Sequence, residues 1–136
     1  MYILDTNALS ELRRRDRSDP GLASWVRGAV ETRLYLSVMT VFEIELGASR
    51  IARRDPAQGA MLRAWIDDTV LVRFADRILP INAAVATRAA RLHVPDPRPE
   101  RDALIAATAL VHGFTVVTRN VADFEPTGVA VLNPWS

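Results

Sequence analysis

The sequence predicts an α/β fold in which a mainly parallel sheet of four to five strands lies between two layers of helices, and three observations predict it. Short apolar runs alternate with helical stretches along the whole of the 136 residues. The first run, Tyr2-Ile3-Leu4, reads as a strand buried on both faces. Carboxylates then stand just after such runs, at Asp5 and, beyond Thr115-Val116-Val117-Thr118, at Asp123, the edge where open α/β sheets place their ligands.

The elements follow in order. Residues 2–5 form the first strand, and Asn7 is placed to cap a short helix through Leu12. Arg13 to Asp19 reads as a charged loop. Pro20, at a first-turn position, opens a helix with Leu22, Trp25, Val26, Ala29 and Val30 on one stripe. Residues 34–37 form the second strand, and a helix runs from Thr40 to about Arg54 with Val41, Ile44 and Ala48 on one face. Asp55-Pro56 is an N-cap followed by a first-turn proline, and Met61, Leu62, Trp65, Ile66 and Thr69 recur at helical spacing behind it. Ile78-Leu79 is a short third strand stopped by Pro80; Asn82 caps an alanine-rich helix to Leu92. Three prolines in Val94 to Pro99 make a loop of restricted flexibility. A helix over Asp102 to His112 ends at Gly113, and strands over 115–118 and 129–132 close the chain. No internal repeat or linker divides it, so 1–136 is expected to be a single domain.

Composition excludes several functions. Hydrophobic residues make up 49% of the chain, enough for a core, and no apolar run approaches the ~20 residues that span a bilayer. The chain opens on a strand rather than a basic signal segment, so a cytoplasmic protein without membrane contact is expected. Cysteine is absent, which removes thiolate metal sites and cysteine nucleophiles. All 17 basic residues are Arg, so there is no P-loop lysine and no Schiff base. A net charge of +1 gives no global field for nucleic acid, leaving that argument to local patches. His93 and His112 lack metal-ligand spacing and read as structural or surface residues.

Four carboxylates remain as candidates. Asp5 ends an apolar strand; Glu43 lies one turn inside an apolar helix, where an unpaired charge costs several kcal/mol. Asp102 opens the helix Ala103 to Leu110, which is buried almost all round, and Asp123 follows a strand end. Each has a plainer reading: Asp5 or Asn7 as a helix cap, Asp102 as a complement to the helix dipole, Asn120 and Asp123 as turn residues. Those readings leave unexplained why all four acids stand at strand ends or helix mouths. Four carboxylates in one crevice stay ionised together only if a divalent cation neutralises them, so the pattern points to a metal site. Glu45 lies about 200° around the helix from Glu43 and reads as solvated, as do Arg53, Arg54, Asp67 and Asp68.

At this point the residues meet a known family. Leu4-Asp5-Thr6-Asn7 with Ser10-Glu11, Glu43-Ile44-Glu45-Leu46-Gly47, Asp102 to Ala109, Thr118 to Phe124 and the closing Asn133-Pro134-Trp135 occur in an order that resembles the PIN-domain ribonucleases. Within them the chain is most similar to the VapC and FitB-like toxins of bacterial toxin–antitoxin pairs. The resemblance implies a single PIN-like α/β/α sandwich in which Asp5, Glu43, Asp102 and Asp123 are the catalytic, metal-binding acids. It implies pocket hydroxyls at Thr6 and Thr118, with Asn7 and Asn120 in support. The family often has another acid at the position of Asn120, which leaves one charge fewer here. It also implies a cognate VapB-like or FitA-like antitoxin, promoter DNA reached only through that antitoxin, and a homodimer, for which Trp25, Val26, Trp65 and Ile66 are candidate contacts if they are not core.

The chemistry expected is metal-assisted phosphodiester hydrolysis of RNA. Mg²⁺, with Mn²⁺ able to substitute, would polarise the scissile phosphate and lower the pKa of a bound water. An acidic pocket repels a polyanion, so guides are needed: Arg13, Arg14, Arg15 and Arg17, with Arg98, Arg101 and Arg119, are the candidates, the first four also readable as a solvated charge run. Two other functions stay open, a metal-dependent nuclease without an antitoxin and a non-catalytic module that keeps the acidic pocket.

Overall fold

The computed structural model describes residues 1–136. Its strands are β1 (Tyr2–Leu4), β2 (Leu34–Ser37), β3 (Ile78–Leu79), β4 (Thr115–Val117) and β5 (Val131–Leu132). All neighbours are parallel, in the order β3-β2-β1-β4-β5. Parallel neighbours need crossovers, and the helices supply them: α1 (Thr6–Leu12), α2 (Pro20–Gly28), α3 (Val38–Arg54), α4 (Pro56–Trp65), α5 (Leu71–Arg73), α6 (Ala83–Leu92), α7 (Glu100–His112) and α8 (Val121–Phe124). None is long and apolar enough to cross a membrane.

The three layers can be traced residue by residue along the strands. Successive strand side chains point to opposite faces. Ile3 and Val116 therefore enter one cluster with Ile105, Ala106, Ala109 and Phe124, while Leu4 and Val117 enter another with Leu22, Leu36, Ile44 and Phe74. Both clusters are buried, which explains why Ile3, Leu4, Val116 and Val117 are all apolar. Gly113 ends α7 in the left-handed conformation (φ 72°) that favours glycine, and the chain turns directly into β4.

Several boundaries differ from the expected ones. Asp5, not Asn7, caps α1, because its carboxylate accepts the Ala8 N–H while Asn7 lies exposed within the first turn. Helix α3 begins two residues before Thr40, since the buried Ser37 hydroxyl accepts the Met39 N–H and caps it there. After α4 the backbone widens into a π turn over Ile66–Val70, which keeps Ile66, Val70 and Phe74 buried and leaves Thr69 exposed. Residues 121–124, beside Asn120 in a stretch for which a turn is one reading, form the short helix α8. Ile66 is fully buried, and Trp25, Val26 and Trp65 pack against the same cluster. Ile66 is thus core, while Trp25, Val26 and Trp65 are partly buried and keep an exposed edge.

Candidate metal and catalytic centre

Strand order places the site. From β1 the chain moves outward to β2 and β3, then returns to β4 on the other side of β1, so β1 and β4 flank the point where the order reverses. Ligands of open parallel sheets bind outside the C-terminal strand ends at such a point. The register pairs Leu4 with Val117. The next residues of the two strands, Asp5 and Thr118, therefore emerge side by side.

Asp5 is only 4% exposed. One carboxylate oxygen accepts the Ala8 N–H at 2.8 Å, and the other accepts the Thr118 hydroxyl at 2.6 Å. Thr118 is itself fully buried and accepts the Asn120 N–H at 2.9 Å, which fixes its hydroxyl with the proton toward Asp5. From the other side, Thr6 donates to Glu43 at 2.9 Å and approaches the buried Thr40 hydroxyl at 3.2 Å. Helix α3 thus delivers Glu43 to the start of α1. Thr40 had no distinguishing mark in the sequence beyond its place one turn before Glu43.

The electrostatics couple all four acids. Burial pushes the Asp5 carboxyl up to about 6; the hydrogen bonds from Thr118 and Ala8 oppose this, while the charges of Asp102 and Glu43 reinforce it. Asp102, half-buried in the first turn of α7, is also raised, by burial first and then by Asp123 and Glu43. Asp123 is exposed on α8. No three of these side chains close into a finished cage, so the acids share one field without enclosing an ion among themselves. Oxygen-only donors carrying excess negative charge suit a hard divalent cation, and these residues fit such an ion in ligand type and charge.

The arginines divide. Arg13, Arg14 and Arg119 line a groove of about 580 Å³ that also takes in Thr6, Asn7, Glu43 and Asn120 and runs to Trp65 and Trp135. Arg14 pairs with Glu11 at 3.0 Å. Arg15 and Arg17 are exposed beside the groove but do not line it. Arg98 is not a free guide: its side chain donates to the Leu92 carbonyl at 2.9 Å and its N–H to His93 Nδ1 at 3.1 Å, pinning the proline loop. His93 thereby has the structural task expected of it. Glu45 is not simply solvated but forms a two-pronged pair with Arg63, which also holds Asp67 at 2.9 Å.

A PIN-domain family model matches residues 2–126. The chain belongs to the PIN-domain family. This PIN domain is 32% identical to the VapC ribonuclease Y4jK of Sinorhizobium fredii, over 99% of its own length and 98% of that protein's. It is 33% identical to the toxin FitB of Neisseria gonorrhoeae, with 99% of both chains covered. Among solved structures, the crystal structure of FitAcB from Neisseria gonorrhoeae superposes on the PIN domain with a TM-score of 0.89, at 33% identity and 99% coverage of each chain.

Proposed function

We propose that this PIN domain is a Mg²⁺-dependent endoribonuclease, the toxin of a type II toxin–antitoxin module neutralised by a cognate FitA-like or VapB-like antitoxin. The observation that carries the proposal is the under-compensated Asp5: buried at the β1/β4 switch point, raised to about 6, and faced by further carboxylates instead of cations. Similarity to a VapC ribonuclease and to the toxin FitB supports the choice of RNA and of an antitoxin.

In this reading Asp5, Glu43 and Asp102 would hold the cation, directly or through water. Lewis acidity toward the scissile phosphate and a lowered pKa of water are the chemistry a divalent cation would supply there. The protein's share is positional. Thr118 and the Ala8 N–H fix both Asp5 oxygens, Thr6 orients Glu43, and Asp123, exposed beside Asp102, completes the shell or orients the attacking water. Arg119 and Arg13, at the groove edge, draw the polyanion toward an otherwise repulsive site. An antitoxin segment covering the acids would inhibit by displacing the cation, most directly with an arginine.

The test is cleavage of total RNA by antitoxin-free protein with Mg²⁺, beside EDTA and Asp5→Asn. Discrete products are expected, abolished by EDTA and reduced by about 100-fold or more in Asp5→Asn, since removing a ligand exceeds the 10–100-fold effect of outer-shell changes. A folded, cation-binding protein that cleaves no RNA would overturn it.

A further inference from the structure

Beside the acids, Arg101, one of the candidate substrate guides, stands against an aromatic residue to which the nuclease reading gives no role. Phe42 is 51% exposed and is the single aromatic among the exposed large hydrophobic residues. It directly precedes Glu43 in α3. The Arg101 guanidinium carbon lies 5.2 Å from the centre of the Phe42 ring, and Arg101 Nη1 lies 3.9 Å from Glu43 Oε2. Arg101 in turn directly precedes Asp102 in α7, a helix packed against α3. One guanidinium therefore joins a surface ring to Glu43.

We infer that Phe42 and Arg101 form a stacking platform for an unpaired nucleobase of the RNA substrate, next to the scissile phosphate. The inference rests on the ribonuclease reading and deepens it by naming the conformation of RNA recognised. Three physical points support it. An acidic centre repels phosphates, so attraction close to it must come in part from an uncharged source, and stacking on an aromatic face is one. A guanidinium over a ring offers both a planar surface and a positive charge, whereas a base within a duplex has no free face to offer it. Arg101 is also available: its side chain is 44% exposed and reaches Glu43 only at 3.9 Å, a longer contact than those of Arg14 with Glu11 at 3.0 Å and of Arg98 with backbone at 2.9 Å.

The experiment measures binding of a short, fluorescently labelled unpaired RNA to the full chain by anisotropy, in Ca²⁺ buffer. Phe42→Ala, Phe42→Trp and Arg101→Ala are compared with the native protein, and a matched RNA has one base at a time replaced by an abasic sugar. Phe42→Ala is expected to weaken binding about tenfold, as loss of one base–aromatic stack does, while Phe42→Trp binds within about twofold of native. At one position the abasic RNA should lose the same factor on the native protein and nothing further on Phe42→Ala. A loss confined to a folding defect would fall equally on every RNA and would not be restored by Trp. The platform is overturned if Phe42→Ala binds as the native chain does, or if the abasic loss persists undiminished in it. It is equally overturned if sedimentation shows that Phe42→Ala dissociates a dimer, which would make the ring a contact between copies. In the first two cases, metal-dependent cleavage by the native chain leaves the ribonuclease reading standing. Absence of both binding and cleavage in the native chain removes the two together.

Discussion

Two charged side chains are buried in this domain, and the fold treats them in opposite ways. Arg77 is 9% exposed; its guanidinium donates to the carbonyls of Glu31, Leu34 and Arg73 and lies 5.0 Å from the centre of the Phe74 ring. Carboxylates stand nearby, Asp76 at 3.7 Å and Glu31 at 3.9 Å. Asp5, as deeply buried, is given two hydrogen bonds and then surrounded by more negative charge. A buried charge that serves the fold is matched by its surroundings, because an unmatched one costs several kcal/mol. One left short of counter-charge signals that something from outside completes it.

The sharpest way to break the comparison is Arg77→Ala. It strands three carbonyls at the β2–β3 side of the sheet and should destabilise the domain by about 4 kcal/mol in urea denaturation, with cleavage per folded molecule retained. A loss below about 1 kcal/mol would mean that Arg77 is no more structural than a surface residue.

Next in size is a pH effect at Asp5. Its folded pKa, about 6, lies above the ordinary 3.8, so the folded chain holds the proton more tightly than the unfolded chain does. The associated stability is fully present below pH 3.8 and is lost as pH rises through about 6, a loss of about 3 kcal/mol by neutrality in metal-free protein. Asp19 and Glu45 are lowered and act in the opposite sense, so the Asp5 share is the difference between native and Asp5→Asn chains. Asn still caps α1, and the variant should lose this part of the slope. An unchanged slope in Asp5→Asn would show that Asp5 is not the under-compensated group.

Thr118→Val is a smaller, sharper probe. It removes the Asp5 donor and should raise the Asp5 pKa further, at a cost of about 1 kcal/mol, read by NMR titration and urea midpoint. Smallest is Arg63→Ala, which dissolves the half-exposed Glu45–Arg63–Asp67 group. It should shift stability by less than about 1 kcal/mol and leave cleavage unchanged.

Strand positions and parallel architecture were legible because burial on both faces leaves a continuous apolar run, and Asp5 was legible because it interrupts one. Asp55 and Asn82 declared their helices through capping chemistry that is local in sequence. What sequence could not show was long-range pairing. Arg98 and Arg77 look alike as letters, one offered as a substrate guide and the other unremarked, and only their backbone partners show that both are fasteners. Glu45 seemed solvated because helical geometry turns it away from Glu43, yet Arg63 waits on the neighbouring helix. Ile66, a candidate partner contact that reads first as core, is fully buried at the start of the π turn.

The Asp5–Thr118 hydrogen bond joins residues 113 positions apart. During synthesis β1 leaves the ribosome on the order of 10 s before its neighbour β4. Through that interval the central strand lacks one flank, and Asp5 lacks the hydroxyl that orients it. A product that stops short of Thr115 carries three of the four acids but not the switch point between β1 and β4 that gathers them. Interrupted synthesis of this chain therefore yields a fragment unable to assemble the site.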